Sequence, residues 1–132
     1  MAMSSNAGEV AAQLVAHGVR VGVRGVAVVH MFGVMLQTQV KANASGRPGP
    51  QAPTGDYRRS IGLQFSRDGG TVRASVGTNR PQGRRLEFGF TGVDAAGRHY
   101  NQPPFPHFGP AVDKIAPEFH AAVARLATNP NG

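Results

Sequence analysis

The stretch "SIGLQFSRDGGTVRASVG" (60–77) carries the clearest local structure signal in the chain, the pattern of a β-hairpin. Apolar side chains alternate before the turn at Ile61, Leu63 and Phe65, so they lie on one face of an extended strand. The Asp-Gly pair within "RDGG" (67–70) supplies the positive φ angles that a tight hairpin turn requires. The returning strand has the matching apolar set Val72, Ala74 and Val76. The stretch therefore predicts two antiparallel strands.

Two more strand-like segments follow the hairpin. "RRLEFGF" (84–90) places its apolar side chains on one side, which predicts a third strand. "FTGVDAAGRHY" (90–100) has the pattern of a second, looser hairpin around "DAAG". Together with the first hairpin, these segments predict an antiparallel sheet region over 57–100.

The N-terminal part of the chain predicts a long helix. Residues 7–42 contain no proline and no turn cluster, and their polar side chains recur at steps of three and four residues. The competing pattern is "VRVGVRGV" (19–26), which alternates like a strand and contains poor helix formers. We expect one helix over 7–42, with a bend or a strand at 19–26 as the alternatives. The polar set is Glu9, Gln13, His17, Arg20 and Arg24.

Proline and glycine punctuate the two remaining segments. "KANASGRPGPQAPTGD" (41–56) cannot bury much apolar surface, so we expect a flexible loop over 43–56 that becomes ordered only in an assembly. "NQPPFPHFGP" (101–110) has four prolines, which predict a stiff crossing and then a helix over 110–127 with Pro110 in its first turn. Pro117 predicts a kink or a restart in that helix. The residues expected to anchor these segments to the core are Phe88, Phe105, Phe108 and Pro110.

The bulk composition fits one domain over 1–132 and a polyanionic partner. The net charge is +7, and 12 of the 14 basic residues are arginine. Such a field favours nucleic acid or acidic surfaces, although evenly solvated charges are the alternative. The start "MAMSSNAGEV" lacks the features of a signal peptide, and the longest apolar run (26–36) is too short to span a bilayer, so we expect no membrane partner. The arginines cluster only at Arg58–Arg59 and at Arg80, Arg84 and Arg85.

No combination of residues predicts catalysis. The chain has no cysteine, which excludes disulfides and thiolate metal sites, and no two histidines have a metal-ligand spacing. His30 lies in an apolar run, where a core histidine is expected. Glu87 is either an acid in a cleft, or a residue on the polar face of a strand, or one member of an ion pair with an arginine. Without a nucleophile elbow or a phosphate-binding loop, the sequence predicts no enzyme, no cofactor and no metal.

Three motifs occur in an order and spacing that resemble one protein family. They are "TGDYRRSI" (54–61), "VGTNRPQGRRLEFGF" (76–90) and "PPFPHFGPAVDK" (103–114). Each is weak alone, but their combination over about 54–128 is similar to the neck or tail-completion family of long-tailed bacteriophages, typified by gene product ten of phage HK97. The resemblance implies an α+β fold with a long N-terminal helix on a small antiparallel sheet and a C-terminal helix.

The resemblance also implies a structural role in the virion neck, at the head–tail junction, after assembly in the host cytoplasm. It implies a homo-oligomeric ring, with a hexamer favoured and a dodecamer next, that surrounds the DNA channel and joins the tail tube to the DNA-filled head. The implied partners are neighbouring neck, head-closure and tail-terminator or tail-tube proteins, with non-specific contact to genomic double-stranded DNA. A monomeric basic nucleic-acid-binding module is the alternative. The residues expected at subunit or DNA contacts are Arg58, Arg59, Arg80, Arg84, Arg85 and Glu87.

Overall fold

The computed structural model describes residues 2–6, 9–17, 22–47, 49, 54–93 and 95–128 and confirms the α+β class. A long helix and a C-terminal helix accompany antiparallel strands. The elements are β1 Ala2–Asn6, β2 Glu9–His17, α1 Val23–Asn43, α2 Asp56–Arg59, β3 Gly62–Asp68, β4 Thr71–Thr78, α3 Pro81–Phe88, β5 Phe90–Val93, β6 His99–Gln102 and α4 Phe108–Thr128.

The main sheet has four antiparallel strands in the order β1-β2-β4-β3. The hairpin predicted from 60–77 is confirmed: β3 and β4 pair up to Asp68 opposite Thr71, and Gly69 in the turn has a φ of 59°. Every second residue of β4 is buried, as the alternating pattern predicted. The predicted second hairpin is also confirmed, since β5 and β6 form a separate two-stranded sheet.

The predicted helix over 7–42 is wrong in its first half. Residues 9–17 form β2, and the helix begins at Val23; residues 7, 8 and 18–21 of the prediction lie outside the described residues. The polar spacing was misleading because a step of four residues is also two steps of a strand's period of two. The buried side chains of β2 alternate with that period, and they are Val10, Ala12, Leu14 and Ala16.

The predicted strand over 84–90 is also wrong, because residues 81–88 form helix α3. Pro81 occupies its first turn, where the missing N–H group leaves no hydrogen bond unmade. Gly89 ends the helix with a φ of 81°, a conformation that favours glycine. Only two turns long, the helix has too few residues for its apolar positions to show a helical period rather than a strand period.

The two long helices cover one face of the main sheet and enclose the core. Phe32 of α1 and Phe119 of α4 meet edge to face, with ring centroids 5.6 Å apart. Helix α4 begins at Phe108 and continues as one helix through Pro117, so the chain does not restart there. The other fully buried large side chains include Leu14, Leu36, Ile61, Val76 and Phe108.

Part of the segment predicted as a flexible loop over 43–56 is helical, and other described residues of it contact the rest of the fold; its ordering in an assembly stays a prediction. Helix α1 extends to Asn43, Ala44 is fully buried, and the guanidinium of Arg47 stacks over the Phe105 ring at 3.8 Å. The rest of that prediction concerns residues 48 and 50–53, which lie outside the described residues.

His30 was predicted to lie in the core and does not. It is exposed on α1, and its ring stacks on Phe65 of β3 with centroids 3.8 Å apart. An apolar run along a helix fills both faces, so the run alone does not indicate which face His30 occupies.

Candidate functional site: a buried junction beneath an arginine-rich surface

Glu87, near the end of α3, caps the beginning of α4. Its Oε1 atom accepts hydrogen bonds from the backbone N–H groups of His107 and Phe108, at 2.9 and 2.7 Å. Its Oε2 atom accepts a third from Gly109 at 3.0 Å. The first N–H groups of a helix have no partner within the helix, and the helix dipole favours a negative charge beside them. The Glu87 carboxylate, which is only 5% exposed, supplies the hydrogen-bond acceptor and the negative charge from a distant part of the chain.

A second contact, a backbone hydrogen bond, holds the proline-rich segment between β6 and α4 against α3. The backbone N–H of Phe105 donates to the carbonyl oxygen of Leu86, at 2.6 Å. This carbonyl belongs to the last turn of α3, where the helix itself offers no donor. The last turn of α3 therefore provides acceptors on its backbone and on the Glu87 side chain. These two contacts hold the segment between β6 and α4 against α3.

His107 extends the buried junction to α2. Its Nε2 atom lies 2.5 Å from the hydroxyl oxygen of Tyr57, and its Nδ1 atom lies 3.1 Å from the carbonyl oxygen of Phe105. A neutral imidazole that donates a hydrogen bond from Nδ1 and accepts one from the Tyr57 hydroxyl at Nε2 satisfies both contacts. His107 is fully buried, so neither ring nitrogen has water as a substitute partner.

Burial shifts both titratable rings of the junction toward their neutral forms. Burial lowers the pKa of His107 below its ordinary value of 6.5, and the nearby Glu87 carboxylate only partly opposes this. Burial, and then the Glu87 charge, raise the pKa of Tyr57 well above its ordinary value of 10.0. Both rings are therefore uncharged at neutral pH, and the Glu87 side chain beside them faces the three N–H donors.

Helix α1 and the sheet are tied to the same junction. The side-chain amide of Asn43 donates to the His107 carbonyl oxygen at 3.1 Å. The hydroxyls of Ser60 and Thr78 lie 2.8 Å apart and connect the end of α2 to the end of β4. Gly83 of α3 packs so closely here that an added Cβ would lie 2.7 Å from the Thr78 methyl group.

The three sequence motifs therefore meet at one point. Tyr57 comes from "TGDYRRSI", Glu87 from "RRLEFGF" and His107 from "PPFPHFGP". Sequence reasoning singled out Glu87 but assigned it to a cleft or to an arginine pair, and it overlooked the roles of Tyr57 and His107. The sequence feature that could have indicated these roles is that Tyr57 and His107 both lie inside the family-like motifs. Because Glu87 is enclosed, it is removed from the candidate contacts to a partner.

The other predicted anchors differ in burial. Phe108 is fully buried and anchors the start of α4 as expected. Phe105 is half-buried beneath Arg47, and Pro110 is exposed in the first turn of α4. Phe88 is 54% exposed, so the prediction that it anchors the core is wrong. Its position on a helix rather than a strand turns it away from its expected neighbours.

The candidate arginines lie on the two short helices that flank the junction. Arg84 and Arg85 are exposed on α3, and Arg80 immediately precedes it. The Arg85 guanidinium lies over the Phe90 ring at 4.3 Å, a cation–π contact that orients it. On α2, Arg58 donates to the Ser45 hydroxyl at 2.9 Å, and Arg59 pairs with Asp56.

This surface is basic because few carboxylates oppose the arginines. Asp56 and Arg59 form an exposed ion pair, with 69% and 67% side-chain exposure, which solvent screens strongly. Glu87 faces inward and contributes no exposed negative charge. We call Arg58, Arg59, Arg80, Arg84 and Arg85 the arginine-rich surface. It can bind phosphates or carboxylates.

The described residues contain no cluster of metal-ligand side chains. No three His, Asp or Glu side chains in the described ranges gather closely enough to hold a metal ion. A groove of about 400 Å³ crosses β2, β3 and β4, but the described residues that line it, among them Gln64, Ser75 and Thr78, include no ionisable group. The described part of the chain also has no helix with the length and apolar content to span a bilayer.

Comparison with known proteins identifies one related group. A family model with the description "Bacteriophage HK97-gp10, putative tail-component" matches residues 8–89. This range covers strands β2, β3 and β4 of the main sheet and helices α1, α2 and α3, and therefore the Tyr57 and Glu87 sides of the junction. No curated protein and no solved structure matches the chain.

Proposed function

Because the chain belongs to the HK97-gp10-like family of bacteriophage tail components, we propose that it is a structural protein of the virion neck. In this role it joins the tail tube to the DNA-filled head, without catalysing a reaction. The observation that carries the proposal is the rigid arginine-rich surface, because a neck protein must contact other subunits and the packaged genome.

The junction gives this surface a fixed shape. Glu87, Tyr57 and His107 tie α2 and α3 to the start of α4. The arginines therefore project from helices whose backbone the core positions, so binding has to order their side chains but not the backbone. A protein that connects the head and the tail in a fixed orientation requires such a rigid support.

We further propose that the protein acts as a homo-oligomeric ring around the DNA channel. A hexamer matches a six-fold tail, and a dodecamer is the next candidate. Closed rings use heterologous contacts, in which two different surfaces of each copy meet. The arginine-rich surface then faces either the next subunit or the DNA, and the neighbours along the axis are head-closure and tail-terminator or tail-tube proteins.

Localisation in purified particles tests the neck role. Antibody labelling or an image of the intact particle should place the chain at the head–tail junction in several copies. A chain that occurs singly on the capsid exterior, or that is absent from purified particles, would contradict the proposal.

The net charge of +7 favours one second candidate, a monomeric nucleic-acid-binding module. Such a module binds DNA as a monomer, and its affinity falls steeply with salt because each phosphate contact releases counterions. Solution mass combined with DNA titration at several salt concentrations separates the two candidates. The neck proposal expects association with copies or neck partners before DNA binding; tight DNA binding by a stable monomer favours the module.

A further inference from the structure

Arg47 lies beside the arginine-rich surface, although the sequence did not single it out. Its guanidinium stacks on the Phe105 ring at 3.8 Å, and the backbone N–H of Phe105 is bonded to Leu86 of α3. Arg85 stacks in the same way on Phe90, at 4.3 Å. A ring behind a guanidinium fixes its orientation while the five N–H donors point outward from its edge, and only one of those of Arg47 donates to a backbone carbonyl. Both groups are therefore oriented to receive an anion.

Two further contacts join Arg47 and the helices α2 and α3 at one end of the molecule. Arg58 of α2 donates to the Ser45 hydroxyl, two positions before Arg47, at 2.9 Å. The Tyr57 hydroxyl of α2 lies 3.1 Å from the place that an added Cβ would take at Gly83 of α3. Arg47 and the five members of the arginine-rich surface therefore lie on neighbouring elements, at the end of the fold where α1 ends and α4 begins.

The chain itself has too few carboxylates to oppose these arginines in a contact between copies. It contains seven Asp and Glu residues against 14 Lys and Arg residues. Glu87 is buried, and Asp56 is already paired with Arg59. The described part of a second copy therefore offers no acidic surface of matching size. Its other exposed carboxylates are split between two elements, with Asp68 on β3 and Asp113 and Glu118 on α4.

An acidic protein partner is a poorer match than DNA, because the surface has little apolar area. Of the large apolar side chains that the described residues expose, Phe88 alone belongs to α2 or α3. The centre of a protein–protein interface is enriched in apolar and aromatic groups and depleted in charge. Double-stranded DNA instead presents one negative charge per about 1.7 Å of its axis and requires no apolar contact. Charge complementarity therefore favours DNA.

We propose that the arginine-rich surface, together with Arg47, binds the phosphate backbone of double-stranded DNA. The proposal rests on the proposed function, in which this surface faces either the next subunit or the DNA, and it assigns the surface to the DNA. Each guanidinium donates charge-assisted hydrogen bonds to phosphate oxygens, a geometry that arginine fits in a bidentate manner. Contacts between copies then use other surfaces of the chain.

Titration of a fluorescent DNA duplex of mixed sequence with the purified chain, at several salt concentrations, tests the proposal. The logarithm of the affinity should fall linearly with the logarithm of the salt concentration, with a slope of about −5 if all six arginines contact phosphates. The double variant Arg84→Ala and Arg85→Ala should reduce the size of this slope by about 2, because each lost phosphate contact removes about one unit. Its affinity at low salt should fall by at least about tenfold.

The matched control is the double variant Arg24→Ala and Arg125→Ala, which removes the same charge from the other end of the fold. Asn43 at the end of α1 contacts His107 beside the start of α4, so the two helices run in opposite directions. Arg24 and Arg125 are exposed near their far ends, about 30 Å along α1 from Arg47. The control should keep the wild-type slope. Equal losses in the two double variants would show that only net charge matters and would overturn the proposal.

A poly-glutamate competitor separates DNA from an acidic protein partner. At an equal concentration of negative charge, unlabelled duplex should displace the fluorescent duplex and poly-glutamate should displace far less of it. Two results overturn the proposal: poly-glutamate that competes as well as DNA, and a wild-type chain that does not bind the duplex at the lowest salt concentration.

Failure of this contact is distinguishable from failure of the neck role. The titration reports what the arginine-rich surface binds, whereas labelling of purified particles reports where the chain is. Duplex binding through this surface with no chain at the neck supports the contact and contradicts the proposed function. A chain at the neck that does not bind the duplex contradicts the contact and leaves the neck role intact.

Discussion

The Glu87 carboxylate accepts a hydrogen bond from the backbone N–H of Phe108 at 2.7 Å, so a side chain near the end of α3 caps the start of α4 across 21 residues. Many helices are capped by a residue that directly precedes them. Here the cap comes from a distant motif, and the cap joins two parts of the chain as well as stabilising one helix. The proline-rich crossing lies between them and is fixed by this contact.

Removing the Glu87 carboxylate should destabilise the fold. Glu87→Ala leaves the N–H groups of His107, Phe108 and Gly109 without their acceptor in a buried site. Each unsatisfied buried donor costs about 1–3 kcal/mol, so we expect at least about 3 kcal/mol of lost unfolding free energy. Urea unfolding measures this change. The control Glu118→Ala, at an exposed position of α4, should change stability by under about 0.5 kcal/mol; equal effects would contradict the capping role.

Acid should destabilise the protein through His107. Its folded-state pKa lies below the ordinary 6.5, so between these two values the unfolded chain binds more protons than the folded one. The contribution of His107 to stability is therefore complete above pH 6.5 and declines as pH falls from 6.5 toward the lowered folded-state pKa. The unfolding free energy, measured at several pH values below 6.5, should decrease as the pH is lowered.

The His107→Gln variant should show less of this pH dependence, although it is less stable at every pH because the Tyr57 hydroxyl loses its fitted partner. The control His120→Gln alters an exposed histidine and should keep the wild-type slope. An unchanged slope in His107→Gln would show that His107 is not the group responsible.

Two phenylalanines of the proline-rich crossing should differ in their effect on stability. Phe108 is fully buried, so Phe108→Ala should cost about 3–5 kcal/mol. Phe105 is only half-buried beneath Arg47, so Phe105→Ala should cost about 1–2 kcal/mol, because less apolar area is lost. Thermal or urea unfolding of both variants checks the order. A larger loss for Phe105 than for Phe108 would contradict the observed packing.

The arginine-rich surface should matter for assembly rather than for folding. Arg84 and Arg85 are exposed on α3, so their joint replacement by alanine should change the unfolding free energy by less than about 1 kcal/mol. If they bridge subunits, the variant phage should give fewer joined particles. If they face DNA, particles should form while genome retention or ejection changes. Wild-type particle yield together with wild-type retention and ejection would exclude both roles.

The sequence predicted the elements whose signal is local. The Asp68–Gly69 turn determined the first hairpin, and the apolar steps along α4 determined the C-terminal helix. Residues 9–17 were misassigned because a polar step of four fits a strand and a helix equally well. Pairing with β1 and with β4, the latter a contact of long sequence separation, decides between them.

The contacts of the buried junction could not be predicted from the sequence for a related reason. Glu87 acts on backbone groups 20 to 22 positions away, and backbone N–H groups leave no trace in a sequence pattern. The family resemblance marked the three motifs but not the contacts among them. The family itself was predicted from those motifs and is confirmed by the match over residues 8–89.

Electron microscopy of a nonsense mutant tests the neck role most directly. A phage that lacks this protein should produce DNA-filled heads and separate tails that fail to join, because the proposed role is that of a junction and not of a packaging or lysis component. Supplying the wild-type protein from a plasmid should restore joined, infectious particles. Normal complete virions in the mutant, or the absence of filled heads, would contradict the account.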